Sequence, residues 1–589
     1  MAFGADVRDG RRLGTARRTT SGTAAMVLAV VVAMGALAIG CRTAGDPTPT
    51  TPIAADDTPY ISEVRSDDPP APGGRLAFGL PLETNSWNPG LAQWGSYSLT
   101  VARSIYDFLT AFDDQGGVHP YLAERFEHNA DYTTWTVTLR DGVTFHDGRK
   151  LTADDVVAQQ RYLSESQVVG GAFALVDHFE ATGPLTYVAV MNRPFATYPM
   201  AMTSQLGAIA DPRWLASGDY AHPIGTGPFK LEQWDVGRQL VVTRNDAYWR
   251  TDERGTRLPY LDGIDFKVIN DDTARITALR QGDLDVQMQT YATPELKQLV
   301  DDARADGTYQ VFTDEKRETP EDVVVFNLRP TKLDGSPNIL ADPDARLALV
   351  SAVDQQDYVD QVTAGLTQPA AGPFAPGSRW YSKVPYATHD PALARRLVEK
   401  VKAAHGGAFA ITLNGGDTPE LQRAAQYLQT TWSAIGVDVH VNSVENKVKV
   451  LLLVTSNFDA SLLQLFDAPN PASDVVFWGE MPKTRTQAWT LNFSGLDDQQ
   501  GIDAALAAEA TLDPDEQKPQ YDILNQRLAA SNAFLWLDHA PRTFVANLQV
   551  VNLAHHSLPD GARGLDFFQG SPLLAQVWLR NATGSGGAR

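Results

Sequence analysis

Apolar positions along the chain change period repeatedly, and each change marks an element. An alternating strand begins at Arg75-Leu-Ala-Phe-Gly. From Ser98 to Leu109 the period is helical, with Leu99, Ala102, Ile105, Tyr106 and Leu109 on one face. Trp135, Val137 and Leu139 alternate again, and Asp141-Gly142 marks a turn. Thr152 is placed to cap a helix through Val156, Val157 and Tyr162, with Asp154 and Asp155 in a first turn that favours negative charge. The short apolar run Val448–Val454 reads as a strand, too short to span a membrane. Strands and helices alternate to about residue 545 with no solenoid repeat, which predicts an α/β fold.

The first forty residues follow a different pattern. A basic segment with Arg8, Arg11, Arg12, Arg17 and Arg18 precedes an apolar run from Ala24 to Gly40. That is the build of a secretory signal, or of an uncleaved anchor. The run ends Leu37-Ala38-Ile39-Gly40-Cys41, and Cys41 is the only cysteine in the chain. This end resembles a bacterial lipoprotein box, with Ala38 where Leu is usual. The resemblance implies a signal peptide over residues 1–40 and lipid attachment at Cys41. The Arg pairs fit either a twin-arginine signal or an ordinary basic n-region. Over 41–74, seven prolines among Thr, Ala and Asp predict an extended tether without secondary structure.

Composition narrows the classes further. The chain has 589 residues, so about two to four domains are expected. Its formal net charge is −22. Removing residues 1–40 takes away five Arg and two Asp and leaves −25. So acidic a surface repels phosphate backbones and argues against nucleic acid as a partner. A single cysteine excludes an intramolecular disulfide and any cysteine-based metal centre.

Four blocks, in order, carry a resemblance over roughly residues 75–545. The strongest runs from Ile105 to Tyr162 and contains Pro120 to Glu124, Trp135 to Gly148 and Leu151 to Val156. The second joins Gly225-Thr-Gly-Pro-Phe229, Arg244 to Trp249, Tyr260 to Ile264 and Ala278 to Asp285. The third is Phe326-Asn327-Leu328 with Arg346 to Asp354, and the fourth runs from Leu428 to Val437. Together they resemble the extracytoplasmic solute-binding proteins of ABC importers, of the peptide/nickel type. The resemblance implies a two-lobed, periplasmic-binding-protein-like (Venus-flytrap) α/β fold with an extra subdomain and mixed sheets in each lobe. Lobe I would combine 75–110, 222–315 and 546–589, the subdomain 111–221, and lobe II 316–545. The lobes would close on a solute by hinge motion. Read as residues, the blocks are mostly structural: Gly142, Gly148, Gly225 and Gly227 suit turns with unusual backbone angles, and Trp135, Phe145, Tyr248 and Trp249 suit a core.

The resemblance also points to ligand-binding residues. In peptide-binding members an Asp in the second lobe pairs with the peptide amine, and Asp467, in Phe466-Asp467-Ala468-Pro469-Asn470-Pro471, matches it. Asp467 and Asn470 then face the ligand, or else stabilise a turn. Trp94, Tyr97 and Trp478 stack on a ligand or fill the core, and Asn327 offers an amide to the cleft or satisfies backbone. Dipeptide-type members clamp the ligand carboxylate with an Arg-Pro-Tyr step. At the equivalent place stands Gly415-Gly416-Asp417, without Arg or Tyr, which disfavours a strict dipeptide binder and leaves longer peptides or other solutes open.

For the nickel branch, His555-His556 is the only adjacent pair, and neighbours on a strand point to opposite faces. His119, His128 and His146 lie in the shared block and read as structural. No protein-held metal or cofactor is expected, although a metal carried by an organic chelator needs few protein ligands. An enzyme is the rival class. Gly377-Ser378 lacks the nucleophile-elbow pattern, and no Walker A, dinucleotide fingerprint or His-Glu-x-x-His is present. The sequence therefore predicts a monomeric, non-enzymatic lipoprotein that gives a solute, foremost an oligopeptide, to an ABC permease. An oligosaccharide or nickel-chelate binder and a surface sensor are the alternatives. Cys41→Ser is expected to move the protein from the membrane to the soluble fraction; lipid labelling that persists in this variant would overturn the anchor.

Overall fold

The strand Arg75–Leu80 runs parallel to both its neighbours inside a mixed eight-stranded sheet. The strand order is Tyr60–Ile61, Tyr309–Thr313, Thr543–Asn547, Val286–Gln289, Arg75–Leu80, Gly263–Val268, Gln239–Arg244 and Phe229–Asp235. The computed structural model describes residues 60–61, 69–92, 94–289, 291–313, 321–465, 469–479 and 491–580, all within one unit, Thr58–Arg589. Cys41 and Asp467 lie outside the described residues.

A second, six-stranded mixed sheet follows the order Gln368–Pro369, Phe534–His539, Glu321–Phe326, Ala460–Gln464, Ala410–Asn414 and Asp438–Asn442. Its inner strands are apolar on both sides. Val324 and Phe326 pack with Leu349, Leu428 and Trp432, whereas Val323 and Val325 pack with Phe374, Trp478 and Tyr521. A strand covered on both faces reads as a continuous apolar run instead of an alternating one.

A separate antiparallel sheet of four strands, Ala123–His128, Thr134–Leu139, Thr186–Met191 and Val176–Gly183, carries its own core. Trp135, Val137 and Leu139 turn inward together and share that core with Val156 of the helix Ala153–Ser164. This helix opens with a capping box: Thr152 Oγ1 accepts the Asp155 amide at 3.4 Å, and Asp155 Oδ2 accepts the Thr152 amide at 3.0 Å. Phe145 and Tyr248 are buried as expected, and Trp249 is half-buried. Tyr248 and Trp249 both donate to the buried Asp107, at 2.8 and 2.9 Å, and burial pushes that carboxyl up to about 6.

Several expectations need correction. The helix expected over Ser98 to Leu109 spans Ser96–Ile105, and Tyr106 is already extended. Gly225 and Gly227 do not adopt left-handed angles as Gly142 and Gly148 do. They allow a close approach instead: a Cβ on Gly225 would lie 2.2 Å from the Ile105 carbonyl oxygen, and the Gly227 amide donates to that oxygen at 3.0 Å. The Gly-Thr-Gly turn thus docks on the helix end. The run read as a strand is the helix Asn446–Val454; Lys449 and Leu453, four residues apart, are buried, while Val448 and Leu451 are exposed. A run this short does not reveal its period. The segment read as a featureless tether contributes the strand Tyr60–Ile61, paired with Thr313 and Phe312 on an otherwise open sheet edge.

His146 records the cost of this packing. Its Nε2 lies 3.1 Å from the Gly227 carbonyl oxygen, and its Nδ1 accepts the Gly225 amide at 3.3 Å, so the ring is held as one neutral tautomer. Burial pushes His146 down to about 4, from an ordinary 6.5. The unfolded chain therefore binds a proton that the folded protein refuses. The stability tied to this site is present above pH 6.5 and is lost as the pH falls toward 4. Burial pushes His539 and His556 the same way, to about 4 and about 3. The melting temperature is expected to fall between pH 7 and pH 4, with a shallower slope for His146→Gln; an unchanged slope contradicts this assignment.

Candidate ligand-binding cleft

The chain passes between the two large sheets twice. It leaves the eight-stranded sheet after Thr313 and enters the six-stranded sheet at Glu321; it leaves again after His539 and returns at Thr543. Thr313 pairs with Thr543, and Glu321 with His539, in antiparallel register. A cavity of about 130 Å³ lies beside these crossings. Leu82, Ser96, Tyr97 and Tyr291 wall it from the eight-stranded side, Thr418, Lys449, Leu463 and Gln464 from the six-stranded side, and Arg542 from the second crossing.

The cavity has an uneven charge distribution. Lys449 is only 4% exposed. Burial pushes its ammonium down to about 8, against the pull of Asp322 and Asp417. Asp322 is pushed up to about 6 by burial, opposed by a hydrogen bond from Gln464 Nε2 at 2.9 Å and by the nearby cations Arg542 and Lys449. Gln464 Oε1 accepts from Arg542 Nη1 at 2.5 Å, so one amide links the acid to the guanidinium. Burial raises Tyr97, and Arg542 opposes that rise. Two helices also begin at the cavity wall. Ser96–Ile105 starts after Gly95 with no side-chain cap, and Pro419–Ser433 starts after Thr418, whose hydroxyl accepts the Leu421 amide. Helix N-termini favour negative charge.

Phe477 also lines a neighbouring cavity of about 130 Å³, which is mainly apolar, with Trp94, Leu175, Phe195, Val475 and Leu491 in its walls. A third and larger space of about 640 Å³ lies on Asp113, His119, Trp135, Trp380 and Asn470.

The sequence candidates are distributed over these features. Tyr97 lines the charged cavity. Trp94 lines the apolar one; its Nε1 donates to the Ser86 carbonyl at 3.0 Å, and its ring stacks on Tyr106 at 5.7 Å. Trp478 is buried in the core of the six-stranded side, edge-on to Phe374. Asn470 lines the third space, caps the short turn at Ala472 and donates to Gln517 Oε1 at 2.8 Å. Asn327 is fully buried and donates to the carbonyls of Ser456 and Phe458 at 3.1 and 2.9 Å. Gly416 and Asp417, in place of the dipeptide clamp, stand at the charged cavity's wall. A Cβ on Gly416 would lie 2.2 Å from Leu421 Cδ1, so this glycine makes room for Leu421. Lys449, Gln464, Arg542 and Tyr291 escaped the sequence reading. A lysine inside the apolar run Val448–Val454 was the one visible signal among them.

His119 lies between Asp113 and Asp560, at 2.8 and 2.6 Å, and His128 stacks on Tyr132. Among the described residues no group of three His, Cys, Asp or Glu side chains could hold a metal ion, and no helix is long and apolar enough to cross a membrane.

Two lobes with mixed sheets, joined by a double crossing and enclosing a cavity with charged side chains in its wall, define a solute-binding protein. Residues 117–481 match the family model of bacterial extracellular solute-binding proteins, family 5 (middle). The chain belongs to this family: it is extracytoplasmic, and it binds a solute without turning it over. Protein XP55 of Streptomyces lividans is 26% identical over 492 residues, 80% of this chain and 84% of that protein. The oligopeptide-binding protein AppA of Bacillus subtilis is 25% identical over 517 residues, 81% of this chain and 88% of that protein. The AppA structure, solved with a nonapeptide, superposes with a TM-score of 0.72, covering 87% of this chain and all of that one at 21% identity. AgaA of A. tumefaciens R10, solved with agropinic acid, gives a TM-score of 0.74 at 22% identity, covering 86% of this chain and 99% of that one. These superpositions confirm the fold.

Asn327 pins a strained turn, because Ser456, one of its two acceptors, has a left-handed φ of 57°. Asn327→Ala strands the buried Phe458 carbonyl and the partly buried Ser456 carbonyl and is expected to lower stability by about 1–3 kcal/mol in urea unfolding. An unchanged urea midpoint would show that the turn stands without it.

Proposed function

We propose that this protein captures an oligopeptide between its lobes and presents it to an ABC permease. The observation that carries this reading is the pairing of two cavities on Phe477, one with Lys449, Asp417 and Arg542 in its wall, the other with broad apolar walls and Glu509 as its one charged lining side chain. A peptide combines both characters, since its termini and amides need polar partners and its side chains need apolar walls. The likeness to AppA, whose structure holds a nonapeptide, supports the same reading.

In this proposal lobe I comprises residues 75–110, 222–315 and the C-terminal stretch, with 111–221 as its subdomain, and lobe II begins at 316. Sheet membership supports ending lobe II at the second crossing, so that Thr543–Asn547 belongs to lobe I. The lobes close by bending at the paired crossings. Asp467 receives the peptide amine, Cys41 carries the lipid anchor, and the protein acts as a monomer.

A thermal-shift screen of the chain from Arg42 onward tests this, because a ligand bound only to the folded state raises the melting temperature. The expected result is a rise with peptides of three or more residues and none with dipeptides. Asp467→Asn should weaken free-amine peptides and spare N-acetylated ones. A rise only with oligosaccharides or nickel chelates would overturn the peptide reading.

A further inference from the structure

Lys449 is a buried cation whose ammonium lines the charged cavity. Among the described residues no hydrogen bond or ion pair holds its ammonium, yet only 4% of the residue is exposed. Its helix leaves it no other direction, because Lys449 shares the inward face with Leu453 while Val448 and Leu451 take the solvent face. An ammonium in a mostly buried site without a counter-ion in contact is costly, and a charge of opposite sign arriving in the cavity lowers that cost.

The surroundings select an anion. Arg542 lines the same cavity, and the N-termini of the helices Ser96–Ile105 and Pro419–Ser433 stand at its wall. The acids that act on Lys449 are Asp322, already hydrogen-bonded to Gln464, and Asp417. Gly416 and Asp417 occupy the place where the sequence lacks an Arg-Pro-Tyr carboxylate clamp. Lys449 reaches that same wall from another element, the helix that follows the strand Asp438–Asn442.

We infer that Lys449, beside Arg542, is the site for a carboxylate of the ligand. If the ligand is a peptide, as proposed above, this is its C-terminal carboxylate, and Lys449 takes over from a different helix the role that the missing clamp arginine leaves open. The site requires a ligand with an ionised carboxyl group, whatever else the apolar cavity selects.

The test uses the full chain in detergent and compares half-saturating concentrations in thermal-shift titrations. The probes are a pool of tri- to nonapeptides with free C-termini, the same pool amidated at the C-terminus, and glutarate. The wild type is expected to bind the amidated pool at least tenfold more weakly. Lys449→Met should erase that preference and Lys449→Arg should keep it, with circular dichroism showing that both variants fold. Equal binding of the two pools by the wild type overturns the carboxylate site and leaves the peptide reading standing. A preference that survives in Lys449→Met overturns it as well. Binding of glutarate but of neither pool, lost in Lys449→Met, supports the carboxylate site and ends the peptide reading. Binding of no probe overturns both.

Discussion

The antiparallel pairing of the strands that flank the two crossings is the constraint on which the rest of the cleft depends. Tyr309–Thr313 and Thr543–Asn547 pair in one sheet, Glu321–Phe326 and Phe534–His539 in the other, so each crossing is anchored at both ends to its partner. The hydroxyls of Thr313 and Thr543, 3.1 Å apart, close the ladder on the eight-stranded side. The second crossing also delivers Arg542 to the cavity. Gly570 makes its path possible, because a Cβ there would lie 1.9 Å from Arg542 Cδ.

The cleft gathers cations within an acidic molecule. A chain of net charge −22 places Lys449, Arg542 and two helix N-termini around one small cavity, with Asp417 in its wall and Asp322 beside them. Local geometry wins over net charge because a buried ammonium interacts through protein instead of through screened solvent. The acids that temper it are themselves constrained. Asp322 is tied to Arg542 through Gln464, and its carboxyl is pushed up to about 6. The neighbouring cavity across Phe477 has no basic lining side chain among the described residues, so the two spaces differ in charge.

Much of the scaffold was legible along the chain. Trp135, Val137 and Leu139 announced a half-buried strand, and Thr152 announced a helix start, because both signals depend on neighbours a few residues away. Gly225 and Gly227 were visible as special positions, but their reason was not. They yield to the Ile105 carbonyl, more than a hundred residues earlier, and no local pattern encodes that contact. The strand reading of Val448–Val454 failed for a related cause: an apolar run of seven residues has too few turns to show its period, and the lobe it packs against decides.

By itself the sequence determined the family, the α/β class and most elements, since ordered motif blocks and local periodicity survive without three-dimensional information. It could not decide which of its candidates meet the cleft. Asn327 and Trp478 carry the right chemistry for a ligand, yet the tertiary structure assigns the first to the Ser456 turn and the second to a core. Lys449, Gln464 and Arg542 come from a helix, a strand end and a crossing spread over nearly a hundred residues. Packing on the six-stranded side brings Lys449 and Gln464 to one wall and the second crossing adds Arg542, because such proximity is set by how the elements are joined and not by spacing along the chain.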